Sequence, residues 1–161
     1  MNVTEFTECI ARPCSKIHAQ AGALTCHSGW HLYKNSCYSY GGGKVTWANA
    51  QEFCKAYGGS LAEIENADEG SFVKNLLTTH KAYQAWIGGA DILREGHWQW
   101  MTSGLDFSEY SNWGPAQPDN FQSAEDCLQY QEGSSGTYVW NDSSCSNLLN
   151  FVCESEALTS K

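Results

Sequence analysis

Basic residues are scarce in this chain. Nine Lys and Arg stand against 18 Asp and Glu in 161 residues, a formal net charge of −9. So few cations cannot neutralise a phosphate backbone, which argues against nucleic-acid binding. No apolar run approaches the ~18 residues of a membrane-spanning helix. The opening Met1-Asn2-Val3-Thr4-Glu5-Phe6 has neither the basic start nor the apolar stretch of a secretory signal. Signatures of common enzymes are missing as well. There is no His-Glu-x-x-His zinc helix, no Gly-x-Ser-x-Gly elbow and no phosphate-cradling Gly-Lys-Ser/Thr loop. His18, His27, His31, His80 and His97 are scattered. The carboxylates that do cluster lie among polar loop residues, not in the apolar pocket that keeps a glycosidase acid protonated. No enzyme is expected.

Aromatic residues are plentiful, at 13% with seven Trp, while charged residues make up only 17%. This is the composition of an ordered chain with one hydrophobic core, not of a disordered one. The eight cysteines are even in number, and none sits in the Cys-x-x-Cys spacing of zinc ribbons or thioredoxins. They imply a disulfide framework made in an oxidising compartment. The expected setting is a secreted, extracellular protein in mature form. Asn2-Val3-Thr4 is a glycosylation sequon in an exposed terminus.

Residues 1–25 lack periodicity but hold Cys9 and Cys14, and are assigned to an N-terminal extension. The domain spans 26–155, and 156–161 form a tail. Trp30–Tyr33 and Ser36–Tyr40 are predicted strands around a Lys34-Asn35 turn, after which Gly41-Gly42-Gly43 is expected to break the chain. Thr46 can cap a first helix whose Trp47, Ala50, Phe53, Cys54 and Tyr57 share one face, with Gly58-Gly59 ending it. Leu61–Ile64 is a short strand. Asn66, with Glu69 three residues on, forms a capping box for a second helix that buries Phe72, Val73, Leu76 and Leu77. Short apolar runs then alternate with loops: 85–87, 98–101, 127–130, 138–140 and 151–153. Two helices followed by strands and a long irregular region make an α+β fold. Trp86, Trp98, Trp100, Trp113 and Trp140 are assigned to the core.

Gln117-Pro118-Asp119, Glu125 and Trp140-Asn141-Asp142 bring three carboxylates and two side-chain amides onto two short segments. Such hard oxygens suit Ca²⁺, which takes about 6–8 of them in flexible geometry. Five side chains leave positions open for another oxygen-rich molecule, such as a sugar with vicinal hydroxyls.

In order along the chain, Cys26…Cys37, Cys54, Trp86-Ile87-Gly88-Gly89, Asn112-Trp113, Gln117-Pro118-Asp119, Cys127, Trp140-Asn141-Asp142, Cys145 and Phe151-Val152-Cys153-Glu154 resemble the C-type lectin domain. The resemblance implies two helices flanking two small antiparallel sheets, with disulfides Cys26–Cys37, Cys54–Cys153 and Cys127–Cys145. A bridge across nearly a hundred residues, such as Cys54–Cys153, contributes about 4–5 kcal/mol by loop entropy. The implied Ca²⁺ ligands are Gln117, Asp119, Glu125, Asn141 and Asp142, with Pro118 usually cis. Asp91, Glu95, Asn120, Glu125 and Asp126 match an auxiliary Ca²⁺ site, although Asn120 stands where some members have Asp. In the family Glu-Pro-Asn accompanies mannose-type ligands and Gln-Pro-Asp galactose or GalNAc. Exchanging acid and amide reverses which side donates hydrogen bonds, since a carboxylate only accepts. Phe121 stands near the aromatic that covers the apolar face of galactose, but the Gly-rich insertion of strong galactose binders is absent before Glu125. N-acetylated sugars stay open.

These residues lead to the expectation of a Ca²⁺-dependent lectin for galactose/GalNAc-type glycans, acting on microbial or other glycan-bearing surfaces in innate immunity or agglutination. The alternative is a lectin-like protein- or mineral-binding domain. Cys9 and Cys14 remain after the family disulfides. They could join each other or cross a dimer, and at least one interchain bridge, hence a homodimer or larger oligomer, is expected. Asn141-Asp142-Ser143 is formally a sequon too, expected unmodified because a glycan would block the site.

Overall fold

The computed structural model describes residues 22–107 and 109–159. Cys9, Cys14 and the Asn2 sequon lie outside the described residues. Twelve elements follow in the order β1 (Leu24–Thr25), β2 (His31–Tyr33), β3 (Ser36–Val45), α1 (Trp47–Ala56), β4 (Ser60–Leu61), α2 (Ala67–Thr79), β5 (Gln84–Ala90), β6 (Gln99–Trp100), β7 (Cys127–Glu132), β8 (Tyr138–Ser143), β9 (Leu149–Glu156) and β10 (Leu158–Thr159). The fold is the α+β C-type lectin fold. Among the described residues no helix is long and apolar enough to cross a membrane.

Both helices start where their caps predict. The Thr46 hydroxyl accepts the Asn49 N–H at 3.3 Å, and α1 ends at Gly58, whose φ of +79° only glycine adopts freely. The Asn66 side chain accepts the Glu69 N–H at 3.0 Å. The second half of the capping box takes a different course. The Glu69 carboxylate accepts the N–H of Glu65, not of Asn66, and its other oxygen accepts a hydrogen bond from the Tyr38 hydroxyl, which ties the start of α2 to β3.

Two antiparallel groups of strands, β2-β3-β9 and β5-β7-β8, are joined where β5 and β9 run parallel, with Ala85 opposite Asn150 and Trp86 opposite Phe151. β4 adds to β9 and β6 to β5, while β1 and β10 pair separately. Gly41-Gly42-Gly43 does not break the chain as expected. β3 runs through it to Val45, with a register shift after Gly41. A Cβ on Gly41 would meet the Phe151 ring at 2.2 Å, so the glycine makes room for that ring.

Successive residues of β5 enter opposite sides of the sheet. Ile87 joins a cluster with Tyr38, Val73, Leu77, Leu128, Tyr130 and Trp140, and Trp86 joins one with Trp47, Leu61, Phe151 and Cys153. Helix α2 covers the first cluster and α1 the second. Burial on both faces explains the continuous apolar run of β5. Both central indoles are satisfied: Trp86 Nε1 donates to Val45 O and Trp47 Nε1 to Ile87 O, each at 3.0 Å. The face predicted for α1 is only partly buried, since Phe53 and Tyr57 pack against each other, tilted, at its exposed side. Trp86, Trp100 and Trp140 are buried, and Trp98 and Trp113 pack half-buried against the core.

Three disulfides close the fold: Cys26–Cys37, Cys54–Cys153 and Cys127–Cys145. The second joins α1 to β9 across 99 residues, and the third joins the start of β7 to the segment after β8.

Between β9 and α2 sits the enclosed carboxyl of Glu154, which accepts the Glu63 N–H at 3.2 Å. Burial, reinforced by the Glu69 charge, pushes it from its ordinary 4.5 up to about 7. The native state therefore holds a proton that the unfolded chain has already lost, and stability falls as pH rises from about 4.5 to about 7. Urea unfolding in chelator across this window should show that fall, on the order of 2 kcal/mol, and Glu154→Gln should reduce it.

Candidate metal and ligand site

The long segment between β6 and β7 is irregular, and its course is set by bonds to β8. Gly114 N–H donates to Trp140 O at 2.9 Å, and Trp140 N–H donates to Asn112 O at 2.7 Å. The segment thus runs beside β8, tightly enough that a Cβ on Gly114 would come within 3.0 Å of Val139. A turn follows, with Gln117 N–H on Gly114 O and a cis Gln117–Pro118 bond.

Asp142, fully buried at the end of β8, draws the next residues in. Its Oδ1 accepts the Asp119 N–H at 3.1 Å and its Oδ2 the Asn120 N–H at 2.7 Å. Asn120 adopts the left-handed conformation, φ 43°, which asparagine tolerates better than most residues. Its Oδ1 accepts the Glu125 N–H at 3.1 Å, and Glu125 Oε2 accepts the Phe121 N–H at 3.0 Å. A tight turn, Phe121–Ser123, with Gln122 and Ser123 at positive φ, is held inside this loop, and the Phe121 ring projects from it 62% exposed.

These bonds place carboxylate oxygens of Asp119, Glu125 and Asp142 within 4.8 Å of one another, the one such acidic, His or Cys cluster among the described residues. Like charges so close repel. Burial first, then the Asp142 and Asp119 charges, raises the Glu125 carboxyl above its ordinary value against the opposing Phe121 N–H. Gln117 Oε1 is buried with no hydrogen-bond partner. Three carboxylates and an orphaned amide oxygen fit a hard divalent cation with oxygen ligands, the chemistry of Ca²⁺ rather than of zinc or copper. Asn141 follows Trp140 on β8, half-buried, with Nδ2 donating to Asp142 O at 2.6 Å.

The auxiliary group is less assembled. Asp91 is 3% exposed, its N–H donates to Asp126 O, and its Oδ2 accepts the Gly96 N–H at 2.8 Å. Its Oδ1 is buried and unpaired. Burial, then Glu95 and Asp126, raises its pKa. Asp91, Glu95 and Asp126 are thus neighbours, yet their ligand atoms do not gather as the first three do. Asn120, expected in the auxiliary set, donates its N–H to Asp142 Oδ2 and accepts the Glu125 N–H on its Oδ1. The bracing by Gly114 was not read from the sequence. Its signal is a glycine directly after Asn112-Trp113, where the loop must approach a strand.

A polar, oxygen-lined loop site on this disulfide-closed fold defines a class of ion-assisted binding domains. A family model for the lectin C-type domain matches residues 43–155, and the chain belongs to that family. It is 37% identical to perlucin of Haliotis laevigata over 83% of this chain and 84% of that one. To the galactose-specific lectin nattectin of Thalassophryne nattereri it is 34% identical, over 80% of this chain and 79% of that one. The solved herring type II antifreeze protein superposes with a TM-score of 0.71 at 32% identity, covering 81% of this chain and 98% of that one.

Because ionised Glu125 is held against other charges, Glu125→Gln should leave the melting temperature in chelator equal or higher at neutral pH. In Ca²⁺ the order should reverse. The unaltered chain should gain about 2.7 kcal/mol at a hundredfold excess over Kd, and the variant should gain little. Paired thermal melts with Ca²⁺ and with EDTA check both signs.

Proposed function

We propose that this protein is a secreted, Ca²⁺-dependent lectin for galactose/GalNAc-type glycans. The observation that carries the reading is the Asp119–Glu125–Asp142 cluster with Gln117 Oε1 left unpaired beside an amide-then-acid order of Gln117 and Asp119. Gln117, Asp119, Glu125, Asn141 and Asp142 would hold Ca²⁺ through side-chain oxygens, and the ion when bound supplies open coordination for two vicinal hydroxyls. The chain's own side chains orient the sugar. Asp119 and Glu125 accept hydrogen bonds from its hydroxyls, while Gln117 Nε2 donates to a hydroxyl oxygen. Donors and acceptors so arranged select the hydroxyl geometry of galactose over that of mannose. The exposed Phe121 ring covers the apolar face of the sugar. Asp91, Glu95, Asn120, Glu125 and Asp126 form an auxiliary Ca²⁺ site that stiffens the same loops.

A single sugar contact is weak, and joining two sites can raise avidity by about 10²–10⁴. Cys9 and Cys14 serve that end through interchain bridges in a homodimer or larger oligomer. Glycan-bearing microbial surfaces are the targets, and the role lies in innate recognition or agglutination. The likeness to nattectin, named as galactose-specific, supports the sugar. A second reading, a lectin-like domain that binds a protein, mineral or ice surface, draws on the likeness to an antifreeze protein and on the net charge of −9. The complete set of oxygen ligands favours sugar.

Retention on galactose-agarose but not mannose-agarose, lost in EDTA, is the expected result. Retention on neither matrix, together with sugar-insensitive adsorption to mineral or ice, would sink the proposal in favour of the second reading. Asp119→Ala should abolish retention while melting normally in chelator. The exchange Gln117→Glu with Asp119→Asn should move retention toward mannose. Acid should release the sugar. Glu125 takes up a proton at a pH above its ordinary 4.5, so retention should fall as pH drops from neutral and be gone at about pH 4. Unchanged retention there would count against an ion bridge.

A further inference from the structure

Among the described residues, Glu69, Asp91, Gln129, Asp142 and Ser143 are the buried polar or charged side chains. Four of them accept at least one hydrogen bond, although Asp91 Oδ1 stays unpaired. Glu69 accepts from Tyr38 and Glu65, Asp91 from Gly96, Asp142 from Asp119 and Asn120, and Ser143 from Asn147. Gln129 is different. It is 1% exposed, and its Oε1 is enclosed without any donor. Leaving a buried acceptor unpaired costs about 1–3 kcal/mol, so an apolar side chain of the same length would make a more stable strand.

Its position gives the amide a use. Gln129 lies in β7 directly opposite Asn141 of β8 and, on its other side, opposite Trp86 of β5. Opposed residues of an antiparallel ladder stand on one face with Cβ atoms about 4.5–5.5 Å apart. Trp86 offers no proton to Gln129, because its Nε1 donates to Val45 O. Asn141 does have one. Its Nδ2 carries two N–H groups, and the bond to Asp142 O uses one.

We propose that Gln129 is a positioning residue for Asn141: in the ion-loaded state Gln129 Oε1 accepts the second N–H of Asn141 Nδ2 and so turns Asn141 Oδ1 toward the cation. The two amide atoms of Asn141 share one carbon, and fixing the direction of the nitrogen fixes that of the oxygen. The unpaired Gln129 oxygen of the ion-free fold is then the partner that ion binding engages. This inference rests on the reading of Asn141 as a Ca²⁺ ligand. It adds a residue of the sheet interior, out of reach of any sugar, to the determinants of ion affinity.

The test compares the unaltered chain with Gln129→Met, which keeps the length and removes the acceptor, and Gln129→Glu, which keeps an acceptor. Calcium titration by calorimetry should show about a tenfold weaker affinity for Gln129→Met, in line with the loss of an outer-shell partner, and no weakening for Gln129→Glu. Melting in chelator should be unchanged or higher for Gln129→Met, which a role confined to packing does not predict. Equal affinity in Gln129→Met and the unaltered chain overturns the inference, as does equal weakening in both variants. A measurement on the unaltered chain stands if a variant does not fold. A nuclear Overhauser contact between the Asn141 side-chain amide and the Gln129 Hγ protons should appear in Ca²⁺ and be lost in EDTA, and its absence in Ca²⁺ also overturns the inference. No calcium binding by the unaltered chain overturns the lectin reading and this inference together. Calcium binding that Gln129→Met leaves intact overturns this inference alone.

Discussion

The paired hydrogen bonds from Asp119 and Asn120 to the two oxygens of Asp142 are the constraint on which the site depends. Each end of that contact has a different origin. Asp142 is placed by a strand, deep in a two-sided sheet, and Asp119 by an irregular loop with no sheet of its own. Those two N–H groups satisfy both oxygens of a carboxylate that the sheet encloses. The same bonds bring the Asp119 side chain to within ligand distance of Asp142 and Glu125. Loop course and charge clustering are thus one event. The acids are close because the backbone that carries one of them is bonded to another.

The rest of the fold serves to make that contact rigid. β8 is an edge strand, but its outer side is covered by the Asn112–Gly114 segment, and β7 holds it through six residues of continuous register. Cys127–Cys145 closes the two strands at the end where the acids sit. β5 then links β7 to β9, and Cys54–Cys153 links β9 to α1. A carboxylate cluster that repels itself is held by covalent and packed elements on every side but the one facing solvent. Such a cluster gives an ion-binding site its driving force, because most of the cost of gathering like charges is met by folding rather than by binding.

Much of this was legible in the sequence, and for physical reasons. Caps are local, so Thr46, Asn66 and Gly58 announced the helix ends within a residue. Disulfide partners and the ligand tripeptides came from resemblance to the family, and the cysteines pair in the structure as that resemblance implied. What was not legible depends on distant contacts. Gly41-Gly42-Gly43 reads locally as a break, yet the Phe151 ring, more than a hundred residues away, turns it into strand. Helical spacing put Phe53 and Tyr57 on the face of Trp47, but both stay half-exposed, Phe53 set edge-on against Phe151. The bonds by which Asn120 ties its loop to Asp142 and Glu125 depend on a left-handed backbone that the sequence did not announce. Spacing gives the residue types of a site, while the direction each side chain takes depends on backbone and side-chain torsions, of which sequence fixes little beyond the φ of proline.

The pairing of β1 with β10 has a bearing on how the domain is displayed. These two strands hold both ends of the described chain together, and Cys26–Cys37 and the Ala157 N–H on Asn35 O fasten them to the β2-β3 side of the sheet. The acidic loops lie at the other margin, on β7 and β8. Leu24 and Thr159 therefore lie side by side, toward the margin of the sheet away from the face that carries Asp119, Glu125 and Asp142. A stalk, a partner domain or a solid support attached through either end leaves that face pointing outward, so copies anchored side by side would present their sites in parallel, like bristles on a brush.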